Sequence, residues 1–199
     1  MIVITHPTAV ANEIKTIHEL FEHGLELLHI RKPEFSASDM QSFVKTIGSE
    51  YAHQLVLHSQ HQLAEDLGIN RLHFTEKMRQ TLSAETLYDY NEKKVHLSAS
   101  VHSIAAFNEL RIFYQYAFLS PVFPSISKSN YQSETDHLQT LAQRTNFNTK
   151  LVALGGIDRS TMPTALKAGF DEVAVLGTIW LSSNPIQNFK SCQQIALSY

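Results

Sequence analysis

The 199-residue sequence predicts a single α/β domain, a (β/α)8 TIM barrel spanning residues 1–199. Three observations carry this expectation. Short apolar runs of strand composition recur around residues 2–5, 25–31, 54–58, 71–74, 95–98, 116–120, 150–154 and 172–176. Helical or loop-length segments separate most of them, and regular alternation implies parallel strands joined by right-handed crossovers. Hydrophobic residues make up 43% of the chain, enough for one sizeable core, and no polar linker or charge block divides it.

The elements follow in order. Met1-Ile2-Val3-Ile4-Thr5 lacks a basic n-region and a long apolar segment, so it reads as a first strand and not as a secretion signal or membrane anchor, and a cytoplasmic location is expected. Asn12 to His23 and Ser38 to Tyr51 carry apolar residues at helical spacing, with Gly24 stopping the first. Ser103 is placed to cap a helix to Phe113, and Ser160 to cap Thr161 to Lys167 ahead of a stop at Gly169. Residues 76–94 give no clear element. The single cysteine, Cys192, lies in the last amphipathic segment and reads as a free helix thiol. A net charge of −3 and the lack of a basic stripe exclude a nucleic-acid footprint, whereas a small anionic substrate needs only a few local cations.

Two small-residue turns stand out. Leu151-Val152-Ala153-Leu154 runs into Gly155-Gly156-Ile157, and Val173-Ala174-Val175-Leu176 runs into Gly177-Thr178. Bare glycines let backbone N–H groups approach an anion, and turns after the last two strands of such a barrel can hold one phosphate between them. In Leu27-Leu28-His29-Ile30-Arg31-Lys32-Pro33 the period of two sends His29 and Arg31 inward. A buried arginine there needs an anion, supplied either by a ligand or by an internal carboxylate. Phe118 to Lys128 is a strand followed by a loop with Ser125, Ser127 and Lys128, chemistry suited to phosphate oxygens. His29, His58, His73 and His96 gather near strand ends, which raises a metal centre; without a His-x-His pair or an aspartate at fixed offset, hydrogen-bonded packing is the favoured reading. His102, where strand five hands over to helix five, can cap, bind substrate or move a proton.

With these residues placed, the chain resembles the thiamine phosphate synthase and thiazole tautomerase (TenI-like) superfamily of TIM barrels, nearly end to end. The stretches concerned are Ile4-Thr5, His29-Ile30-Arg31-Lys32, Leu72-His73-Phe74, Ser100-Val101-His102-Ser103, Ser120 to Lys128, Gly155-Gly156-Ile157 and Val175-Leu176-Gly177-Thr178. The Pro-Val-Phe-Pro-Ser-x-Ser-Lys loop is the most specific. The resemblance implies a transferase of thiamine biosynthesis that joins hydroxymethylpyrimidine pyrophosphate to thiazole phosphate and releases pyrophosphate. It assigns Arg31, Ser125, Ser127 and Lys128 to pyrophosphate and Gly155, Gly156, Gly177 and Thr178 to the thiazole phosphate, with His29 and Ser100 as further substrate contacts and Arg31, Lys128 and His102 as catalytic candidates. Assembly into homo-oligomers stays open.

The departures from the family pattern matter as much. Where synthases carry an Asn-Asp-Asp run for Mg²⁺, this chain has His58-Ser59-Gln60, and only Glu76 remains near the second acidic position. His29 replaces the glutamine of Gln-x-Arg-x-Lys, and the lysine is shifted to Lys32. The tautomerase histidine of the strand-six loop is Pro121 here, so His102 or His29 would serve as base. Synthase is the first expectation, tautomerase the second, and a catalytically silent phosphate-binding regulator the third.

Overall fold

The computed structural model describes residues 1–124 and 135–199. Parallel strands β1 (Ile2–Ile4), β2 (Leu28–Ile30), β3 (Leu55–Leu57), β4 (Arg71–Phe74), β5 (His96–Val101), β6 (Tyr114–Leu119), β7 (Lys150–Ala153) and β8 (Glu172–Val175) form a closed barrel in sequence order, with β8 pairing back onto β1. The connecting helices are α1 (Glu13–Glu22), α2 (Ala37–Ile47), α3 (Glu76–Thr81), α4 (Ala84–Glu92), α5 (Ile104–Asn108), α6 (His137–Thr140), α7 (Met162–Ala168), α8 (Gly177–Trp180) and α9 (Pro185–Ala196). None is long and apolar enough to cross a membrane.

The eight predicted strands all form, and the differences lie in helix ends. α2 begins earlier than the apolar spacing suggests, because Ser36 and Asp39 make a reciprocal capping box. It stops at Ile47, where Gly48 takes a positive φ and the chain continues as a 3₁₀ turn over Ser49–Gln54. The unclear stretch 76–94 holds α3 and α4, each started by a hydroxyl: Thr75 accepts from the Met78 amide and Ser83 from the Thr86 amide. Ser103 caps α5 as expected, but that helix ends at Asn108. Ser160 does not cap α7. The carboxylate of Asp158 instead accepts from the amides of Ser160 and Thr161, folding the preceding turn.

Strand alternation divides the interior in two. Outward residues such as Val3, Leu28, Leu57, Leu97 and Val173 pack under the helices in one large core. Inside the barrel, Ile2, Ile4, Tyr116, Phe118, Val152 and Ala174 form a second, smaller cluster. The rest of that inner layer is polar: His29, His73 and Ser98 are buried within it. Thus one side of the barrel interior is hydrocarbon and the other is imidazole and hydroxyl. Cys192 is buried against the outer core, and burial pushes its thiol up to about 11, the behaviour of a packed thiol rather than a nucleophile.

Just past β2, Lys32 is wholly buried and donates to both carboxylate oxygens of Glu13 at 2.7 and 2.8 Å and to the Thr8 carbonyl at 3.0 Å. Burial raises the Glu13 pKa, against the lowering effect of the ammonium. This pair fastens the start of α1 to the chain leaving β2.

Candidate active site

A cavity of about 450 Å³ opens at the C-terminal ends of the strands. It is lined by Gly155, Gly156 and Gly177 after β7 and β8, and by Arg31, Glu76, Ser100 and His102 from the ends of β2, β4 and β5. The side of a parallel barrel where strands end is where loops of different connections converge, so residues distant in sequence meet there.

The glycine turns have a packing cause as well as the one expected. Gly155 and Gly156 take φ of 95° and 62°. A Cβ on Gly155 would sit 2.8 Å from the Cα of Pro121, and one on Gly156 would sit 2.5 Å from the Pro124 carbonyl oxygen. The segment after β6 lies directly on this turn, with the Val122 amide donating to the Leu154 carbonyl and the Phe123 amide to that of Gly155. The Thr178 side chain serves the scaffold. Its hydroxyl donates to the Ile157 carbonyl and ties the two turns together, so the hydroxyl is spent on the scaffold and does not border the cavity. The Trp180 indole donates to the Ile4 carbonyl, anchoring α8 to β1 beneath.

Arg31 borders the cavity, and among the described residues no ion pair includes it. The internal carboxylate pair weighed for strand two belongs to its neighbour Lys32, which is therefore withdrawn from the site. His102 neither caps α5 nor lies buried. Its Nδ1 donates to the Ser120 carbonyl at 2.8 Å, which leaves Nε2 as the acceptor nitrogen of the neutral ring at the cavity edge. Glu76 borders the cavity at the start of α3, 3.7 Å from the Arg79 guanidinium. Ser125, Ser127 and Lys128 lie outside the described residues.

His29 is a correction. It faces inward, but it is fully buried below the cavity and does not border it. Of the inward-facing histidines on β2 to β4, His58 borders the cavity, and its Nε2 pairs with His29 Nδ1 at 2.8 Å; His29 Nε2 in turn meets the Tyr116 hydroxyl at 2.7 Å. His73 stacks on His58 with ring centroids 4.1 Å apart and bonds the hydroxyls of Ser98 and Ser100 at 2.9 and 2.8 Å. His96 is not part of the group and pairs with Gln115. Sequence reading placed the histidines near strand ends but gave Tyr116 no role. The signal was present, since Tyr116 is two residues before the inward Phe118 on the same strand.

Burial is the main force on these rings. It holds His29 and His58 well below the ordinary histidine range and His73 down at about 3, with neighbouring imidazoles adding to the effect. The folded state therefore binds fewer protons than the unfolded chain in mildly acidic solution, and stability falls as pH drops through the unfolded histidine range. The protein should lose on the order of 2 kcal/mol between about pH 7 and about pH 6 from these rings together. Urea titrations at the two pH values measure this, and a flat profile would show that the rings are not kept neutral.

The sequence profile of the thiamine monophosphate synthase family (TMP-TENI) matches residues 1–179, a span that includes all the strands and every described cavity residue. The chain belongs to this family. No curated protein sequence matches it. Among solved structures it is similar to a thiamine phosphate pyrophosphorylase from Bacteroides thetaiotaomicron, with 29% identity, 98% of this chain and 96% of that one covered, and a TM-score of 0.75. A thiamine phosphate pyrophosphorylase from Pyrococcus furiosus shares 18% identity over 99% and 95% of the two chains with a TM-score of 0.77. A 3-hexulose-6-phosphate synthase from Salmonella typhimurium, at 14% identity, 99% and 98% coverage and a TM-score of 0.72, shares the fold. Family membership thus rests on the sequence profile, and the barrel itself is common to other phosphate chemistry.

Proposed function

We propose that the protein is a thiamine phosphate synthase-like transferase acting on hydroxymethylpyrimidine pyrophosphate and thiazole phosphate. The observation that carries this reading is one cavity lined both by the glycine turns and by Arg31, which forms no ion pair among the described residues. The amides of Gly177 and Thr178 precede the first hydrogen bonds of α8, which run from Ile179 and Trp180 to the Leu176 carbonyl, and they suit the thiazole phosphate. In the reaction the carbon–oxygen bond to pyrophosphate breaks, the leaving group keeps the electron pair, and the thiazole nitrogen closes a new carbon–nitrogen bond. Arg31 faces the charge that develops on the departing pyrophosphate. Ser125, Ser127 and Lys128 are assigned to the same group through the family loop.

Mg²⁺ serves family synthases by neutralising that pyrophosphate. The described cavity wall offers it one carboxylate, Glu76, beside an imidazole, His58. Mg²⁺ prefers oxygen ligands and near-octahedral geometry, so this donor set fits it poorly.

The orientation of His102 favours a second reading, thiazole tautomerase. With Nδ1–H committed to a carbonyl, Nε2 is the nitrogen that would take a proton from a carboxylated thiazole phosphate and return it elsewhere on the ring. Purified protein given both synthase substrates, with thiamine phosphate followed by fluorescence after oxidation, is expected to form product. No product, with both ligands bound in calorimetry, overturns the synthase reading; proton exchange on the thiazole seen by NMR would then establish the second.

For the synthase, Arg31→Gln should lower turnover about 100-fold while thiazole phosphate affinity stays within about threefold, since the lost charge matters as pyrophosphate leaves. Equal losses in both would place Arg31 at the thiazole phosphate instead.

A further inference from the structure

We propose that His29, His58 and His73 form a binding site for a divalent transition ion of the zinc class on the floor of the cavity. Each ring offers one nitrogen, and the three nitrogens lie within 4.8 Å of one another. In a tetrahedral site with zinc–nitrogen bonds of about 2.0–2.1 Å, ligand nitrogens stand about 3.4 Å apart. His29 Nδ1 and His58 Nε2 already face each other at 2.8 Å, so an ion replaces the single proton they share while the His73 ring turns toward it.

The chemistry of the cluster suits such an ion. Its donors are three imidazoles, His29 and His73 buried and His58 half-buried at the cavity, and imidazole nitrogen is a common ligand for such an ion. No net proton need leave the protein. The proton displaced from the His29–His58 contact moves to His29 Nε2, where it is donated to the Tyr116 oxygen. His73 keeps one serine hydroxyl, Ser98 or Ser100, on whichever nitrogen does not bind. Those partners are the outer contacts that fix tautomer and ring orientation in histidine metal sites. Because His58 borders the cavity, the ion has a way in and its fourth position opens toward ligand oxygens there. Nitrogen donors also separate this ion from Mg²⁺.

The test uses chelator-treated full-length protein titrated with Zn²⁺ by calorimetry and with Co²⁺ by visible absorption, whose ligand-field bands report tetrahedral nitrogen coordination. A single tight ion per chain and a tetrahedral Co²⁺ spectrum are expected. His58→Gln, a half-buried position chosen to keep the fold, should weaken binding on the order of 100-fold or more, and Tyr116→Phe about tenfold. His23→Gln, at an exposed histidine, should change nothing. Folded native protein that takes up neither ion overturns the proposal. So does binding that survives in folded His58→Gln, which would assign the ion to other members of the chain's 11 histidines.

Discussion

Replacing Lys32 by Met is expected to cost about 3–5 kcal/mol of folding stability at neutral pH, read from urea unfolding. The ammonium is wholly buried and holds both oxygens of Glu13. Removing it leaves a carboxylate that is itself only 7% exposed, with water unable to take the ammonium's place. The truncated protein has one escape, which is to protonate Glu13, and burial already raises that pKa. The deficit should therefore shrink as pH falls toward the raised pKa, because the neutral acid tolerates burial. Glu13→Leu combined with Lys32→Met removes both charges and should recover to within about 1 kcal/mol of the native protein. A single substitution costing less than about 1 kcal/mol would mean that water reaches the pair.

Gly177→Asp should abolish binding of thiazole phosphate, weakening it by about 2–5 kcal/mol. The new carboxylate enters the approach path of the phosphate and sets a like charge beside it, where α8 begins. Gly177 makes a cleaner test than Gly155 or Gly156. Those two combine positive φ with a loop packed where a Cβ would stand, so their substitution disturbs the scaffold as well as the ligand. Gly177 does not adopt positive φ, and its substitution by Asp should leave circular dichroism and the unfolding midpoint close to native. Unchanged phosphate affinity in a folded variant would move the phosphate away from these turns.

The barrel was legible because its signals are local. Apolar runs of four to seven residues, alternation with helical spacing, and glycine stops at Gly24 and Gly169 each depend on a few neighbouring residues. The helix ends were less so. Ser160 reads as a cap in sequence and Ser36 does not stand out, yet Ser36 finds a partner carboxylate three residues on, in Asp39, whereas Ser160 follows Asp158, which takes the amides itself. The site divides in the same way. Arg31, Ser100, His102 and the glycine turns reach the cavity because strand period and position at a strand end are enough to put them there.

By itself, then, the sequence determined the eightfold parallel barrel, the inward faces of its strands and the turns that border the cavity, since those follow from periodicity and local backbone freedom. Only the tertiary structure decided which charges and imidazoles found partners. Lys32 rather than Arg31 takes the internal carboxylate because Glu13 at the start of α1 comes within reach of Lys32 once the chain leaves β2. Thr178 spends its hydroxyl on Ile157 because β7 and β8 run side by side. His29, His58 and His73 meet because β2, β3 and β4 are adjacent in register. A hydrogen bond or ion pair selects its partner by distances of a few tenths of an ångström between segments far apart in the chain, and closure of the barrel sets those distances.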